Sequence, residues 1–137
     1  MTAKTNKTAK ADSEFDYTTI KSFEDACLKE NIDPLMLPDV SMIPEAFRKP
    51  IINAYKIMII FKAINNGWVP NWNSRDEYKY FPWFYVSPSG AGFSGSDCYY
   101  TGAHTDVGSR LCTDSSSKAL YIASQFEAEY KEYFLYV

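Results

Sequence analysis

Apolar positions recur along this chain with helical spacing in three stretches, and with strand spacing in one. From residue 119 on, Ala119, Ile122, Ala123, Phe126, Tyr130, Tyr133 and Phe134 fall at i, i+3, i+4, i+7, i+11, i+14 and i+15. That is the spacing of one helix face. Lys118, Gln125, Glu129 and Glu132 take the opposite face, and Glu127 is placed to pair with Lys131. Asp114, Ser115 or Ser116 can cap this helix, which is expected over about 115–134. Upstream, IINAYKIMIIFKAI has a narrow polar edge at Asn53 and Lys56, while Ile57 to Phe61 is apolar all round. A helix of that kind is covered on most sides, so it is expected to be the central one; a buried strand is the alternative. It begins at Pro44 or Pro50 and ends at Asn66-Gly67, with the glycine expected in the left-handed position. A shorter helix is predicted near 22–30, capped by Ser22 with Asp25 in its first turn, burying Phe23, Ala26 and Cys27 and leaving through Asn31.

Between the first two helices lies IDPLMLPDVSMI, where Pro34 and Pro38 forbid a regular helix. Its apolar residues are expected to lie across the core. After the central helix the period changes. YKYFPWFYVS, residues 78–87, reads as a strand by its aromatic content. Tyr80, Phe84 and Val86 alternate with Phe81, Trp83 and Tyr85, and Pro82 implies an edge, a bulge or a break. SPSGAGFSG is a glycine-rich turn without the spacing of a phosphate-binding fingerprint. Short strands are expected at 97–100 and 107–112. The order helix, helix, strands, helix lacks the alternation of a parallel sheet. It predicts an α+β fold, three helices packed on a small antiparallel aromatic-rich sheet in a single domain.

Composition narrows the picture. A chain of 137 residues is one domain by size. Residues 1–16 are polar and nearly free of large apolar groups, so a disordered tail is expected there, with the domain spanning 17–137. Lys4, Lys7 and Lys10 of that tail attract phosphate only weakly. The net charge of −3 argues against a dedicated duplex binder. Three cysteines without a close pair do not make a disulfide framework, and reduced thiols in a cytoplasmic setting are the simpler reading. No apolar run is long enough to span a membrane.

The stretch GWVPNWNSRDEYKYFPWF holds all three tryptophans and organises the rest of the chain. Together with VGSRLC, the final amphipathic helix, and the upstream FEDACLKENIDP and DVSMIPEAFRK, it resembles a family of small uncharacterised proteins encoded by gut bacteria and their phages. The resemblance covers about residues 20–135. It implies a compact stand-alone domain of phage or mobile-element origin, in a bacterial cytoplasm or a virion, and transfers no site residue.

Two constellations carry possible chemistry. Asp97, Cys98, His104, Asp106 and Cys112 are all zinc-ligand types, but their spacing matches no common zinc pattern. A cysteine with His104 as base would make an enzyme, yet no motif supports it, so a non-enzymatic protein without cofactor or metal is the expectation. The second constellation is aromatic. Trp72, Trp83, Tyr85, Tyr99 and Arg110 are the candidate binding residues, with the Trp83 face expected to stay open and Arg110 at its edge. Tryptophan, tyrosine and arginine concentrate interface energy, which favours an accessory or structural protein binding another protein. The alternative is a single-stranded nucleic-acid binder in which these rings, with Tyr78 and Tyr100, stack bases with Arg75, Lys79 and Arg110 nearby.

Overall fold

The computed structural model describes residues 14–87 and 93–135. A 3-10 turn at Tyr17–Thr19 is followed by α1 (Phe23–Glu30), α2 (Glu45–Asn65), β1 (Lys79–Val86), β2 (Phe93–Thr101), α3 (Ser116–Gln125) and α4 (Glu127–Leu135). Among the described residues the architecture is α+β, four helices with one antiparallel pair of strands.

The first helix forms as its cap dictates. Ser22 Oγ accepts from the Asp25 N–H at 3.1 Å, and Asp25 Oδ2 accepts from the Lys21 N–H at 3.0 Å. Asn31 ends it in the left-handed conformation, φ 56°. The tail boundary falls earlier than residue 16: Phe15 and Tyr17 pack on the core, and Asp16 caps the 3-10 turn. Residues 1–13, the bulk of the expected disordered tail, lie outside the described residues, as does most of the glycine-rich turn.

The connector after α1 corrects the expectation that its apolar residues cross the core. Leu35, Met36 and Met42 are 87%, 71% and 92% exposed. The cause is local. Asp33 Oδ1 accepts from the Leu35 N–H and Asp39 Oδ1 from the Ser41 N–H, building two side-chain-capped turns beside the prolines. The α2 side chains then fasten this backbone outside: Arg48 Nε donates to Ile43 O at 2.7 Å and Tyr55 Oη to Met36 O at 3.3 Å.

Helix α2 starts behind Pro44 and carries Pro50 inside it. Its second half buries Ile57, Ile59, Ile60, Phe61, Ala63 and Ile64, while Met58 remains on the surface, and the helix as a whole packs on α1 and α4. Asn66, not Gly67 alone, takes the left-handed exit (φ 47°), and Gly67 follows at φ 92°.

The long C-terminal helix is two. Phe126, φ −115° and ψ 31°, separates α3 from α4. Hydrogen bonding continues through the break, from the Phe126 N–H to Ile122 O and from the Tyr130 N–H to Phe126 O. The two halves have different partners, since α3 packs on both strands and α4 on α2. Phe126 is buried at the turn between these two directions. At its other side α3 clasps the chain's beginning. Tyr121 Oη donates to Thr18 O and Ile20 O, and Gln125 Nε2 to Lys21 O.

Strand β2 runs Phe93–Thr101, longer than expected, and the strand expected at 107–112 is missing. There Thr105 Oγ1 accepts from the Val107 and Gly108 N–H groups, and Gly108 turns at φ 77°, so the run cannot extend. One bridge remains, with Tyr80 and Thr113 exchanging two backbone bonds of 2.8 Å. Tyr80 therefore turns its N–H away from β2, and so does Pro82 two residues on. The missing proline donor falls on the outer edge and interrupts no bond of the hairpin. The irregularity lies one step later, where Trp83 pairs Asp97 and Phe84 pairs Gly95.

Candidate aromatic binding face and its surroundings

Lys79, Phe81, Trp83 and Tyr85 share one face of β1, and their exposure rises along it: 0%, 4%, 51% and 58%. The segment 71–77 closes the first end. Lys79 Nζ donates to Asn71 O at 2.6 Å and Ser74 O at 2.9 Å, lies 3.5 Å from Glu77 Oε1, and sits 5.0 Å from the Trp72 ring centre. Three ammonium donors thus meet three oxygens, which lets a lysine be fully buried. Glu77 Oε1 also accepts from the Asn71 N–H at 2.6 Å, so the loop is wrapped around this one cation. Lys79 is accordingly corrected from a cation available beside the stacking rings to an internal anchor.

Beyond Phe81 the face is open. Trp83 lies flat against Tyr99 of the neighbouring strand, ring centres 4.8 Å apart and planes within 7°. Tyr99 also meets Phe81 edge-on at 5.9 Å and Tyr100 at 5.8 Å, and Tyr100 meets Tyr78 at 4.5 Å. Trp83, Tyr85 and Tyr99 are exposed on this face, and Tyr100, paired with Tyr80 on the other face, is exposed together with Tyr78. The opposite face of β1 turns inward at Phe84, whose ring lies 4.6 Å from Tyr130 and 5.8 Å from Phe134 of α4.

Of the five residues expected to bind, the fold brings Trp83 and Tyr99 into direct contact, with Tyr85 next along the same strand face. Trp72 and Arg110 belong elsewhere. Trp72 Nε1 donates to Ser109 Oγ at 2.7 Å, and Ser109 and Arg110 line a cavity of about 770 Å3 beside the C-terminal half of α2. Tyr55, Met58, Ile59, Trp68, Val69 and Pro70 form its apolar wall, and Glu30, Lys62 and Arg110 are its charged groups. Trp83, Tyr85 and Tyr99 do not line it.

The Cys/His constellation separates by burial. His104 and Asp106 are exposed, Cys98 is half-buried and Cys112 is fully buried. Among the described residues no three His, Cys, Asp or Glu side chains stand close enough to hold a metal ion. Burial, only partly offset by the Lys79 ammonium, pushes the Cys112 thiol up to about 11. It is a protonated thiol at neutral pH, not an activated nucleophile.

Two features escaped sequence reading. The exposed connector residues are one, signalled only by their flanking prolines and Asp residues. The other is Asn65, buried at the end of α2. Its Nδ2 donates to Cys112 O at 2.9 Å and its Oδ1 accepts from Thr113 Oγ1 at 2.5 Å, tying α2 to the segment that bridges β1. Among the described residues no helix is long and apolar enough to cross a membrane. No family model, curated protein or solved structure matches the chain.

Proposed function

We propose that the protein is a non-enzymatic accessory or structural module that binds another protein through the open end of its hairpin, with Trp83, Tyr85 and Tyr99 at the centre. The observation that carries this reading is the coplanar Trp83–Tyr99 pair, half-exposed on a strand face whose other end is sealed by a buried lysine. Two large rings already stacked have little freedom left to lose on association, so their desolvation goes mostly into affinity. Base stacking is the weaker reading, because Lys79, the cation nearest these rings in sequence, is consumed inside the loop. The resemblance to small proteins of gut bacteria and their phages supports a phage or mobile-element role, with a partner in the virion or the bacterial cytoplasm.

The test is Trp83→Ala against wild type, by melting temperature and by capture of partners from a gut-bacterial lysate. We expect the fold to survive, since half of the side chain is already in water. Affinity for any captured protein should fall on the order of 30-fold, the loss of a central interface aromatic worth about 2 kcal/mol. If Trp83→Ala unfolds the domain, or captures every wild-type partner equally well, the hairpin face is not the interface.

A further inference from the structure

The cavity beside α2 has no part in the hairpin face, and its chemistry points to a different kind of ligand. Its volume, about 770 Å3, lies within the range of small-molecule sites. One wall is apolar: Met58 from α2, with Trp68, Val69 and Pro70 from the segment after it. Met58 and Val69 are exposed, at 38% and 74%, so this wall faces solvent unfilled. Methionine adapts its shape to what it meets, and tryptophan offers a flat apolar face.

The charged groups of the cavity are unevenly engaged. Glu30 is shared by two lysines, with Lys29 at 3.5 Å and Lys62 at 3.9 Å. Arg110 is exposed and, among the described residues, makes no hydrogen bond or ion pair. Two cations and one carboxylate line the cavity, and that carboxylate is already occupied. In a chain of net charge −3 this is a local cationic excess beside bare apolar surface. A planar guanidinium matches a carboxylate in two parallel hydrogen bonds.

Both walls are held in place before any ligand arrives. The Trp68 N–H donates to Asn65 O at 2.9 Å, and Asn65 in turn holds Cys112 O. Ser109, next to Arg110, is fixed by the Trp72 indole.

We propose that this cavity binds a small amphipathic carboxylate, its apolar body against Trp68 and Met58 and its carboxylate on Arg110. The experiment is isothermal titration calorimetry of the full chain with 2-naphthoate, and with 2-naphthamide as the neutral partner of the same shape. Saturable binding of one naphthoate per chain is expected, at least about tenfold tighter than the amide, since the site selects the charge. Arg110→Ala should remove that preference, bringing naphthoate down to the amide's affinity. Trp83→Ala should bind naphthoate as wild type does, which separates this site from the hairpin. Absence of saturable binding, equal affinity for naphthoate and naphthamide, an Arg110→Ala variant that keeps the preference, or loss of binding in Trp83→Ala would each overturn the proposal.

Discussion

Asn65 is a polar side chain in an otherwise apolar half-helix, and its two bonds reach residues 47 and 48 positions away. Asn65→Ala would leave the Cys112 carbonyl and the Thr113 hydroxyl buried without it, which should cost about 1–3 kcal/mol in urea denaturation. A change below about 0.5 kcal/mol would show that the node contributes nothing to stability. None of this was legible locally: the sequence around Asn65 reads as a helix end, and its partners are about a third of the chain away. Cys112 gives a pH test. Its thiol ordinarily titrates near 9.0 and is raised to about 11 in the fold. Below 9 both states hold the proton and the stabilisation is complete. Between 9 and 11 the unfolded chain releases it while the folded chain does not, so stability falls as pH rises, by up to about 3 kcal/mol. Tyr130, buried and also raised, adds to the fall at higher pH. The slope between pH 9 and 11 should flatten in Cys112→Ala; an unchanged slope would assign the effect elsewhere.

At the scale of elements, periodicity was a good guide wherever one face met one partner. The capped α1, the apolar α2 and the aromatic hairpin were readable for that reason. It failed where a partner changed. The apolar stripe runs unbroken through Phe126, yet the helix breaks there because α3 follows the strands and α4 follows α2. It also failed at Arg110, where sequence neighbourhood suggested the Trp83 face and the Gly108 turn carries the residue to the α2 cavity. Pro50 is the element-level anomaly. It lies six positions inside α2, where it denies Ala46 O its usual donor. Pro50→Ala should raise stability by about 2 kcal/mol, the helix gain less the lost rigidity of the unfolded chain. A lower melting temperature in that variant would mean that the connector's attachments through Arg48 and Tyr55 require the proline-shaped helix. Trp68, half-buried on the cavity wall, should cost less on replacement by alanine than the 3–5 kcal/mol of a fully buried aromatic. Urea denaturation of Trp68→Ala beside Trp83→Ala measures both.

For the whole molecule, charge and burial together weigh against nucleic acid. With a net charge of −3 and Lys79 enclosed, titration with single-stranded oligonucleotide should give no saturable binding at about 150 mM salt. Tight binding at low salt that weakens steeply as salt is raised would restore the stacking reading. The overall plan, α+β in one body, was legible because the order of elements excludes a parallel sheet. Which surfaces stay open was not, because that depends on where loops close over strand faces. The same plan has a consequence for how the protein is made. Helix α2, which carries the buried Ile57, Ile60, Phe61 and Ile64, packs in part on α4, which is completed only about seventy residues after α2 ends. At roughly 5–20 residues per second, the ribosome leaves that helix half-clothed for several seconds, with the hairpin emerging before its own cover. The clasp of Tyr121 and Gln125 on residues 18–21 is likewise among the last contacts to become possible. The nascent chain therefore presents its most apolar surface early and hides it late, and its yield in the cell should depend on chaperones that hold emerging chains.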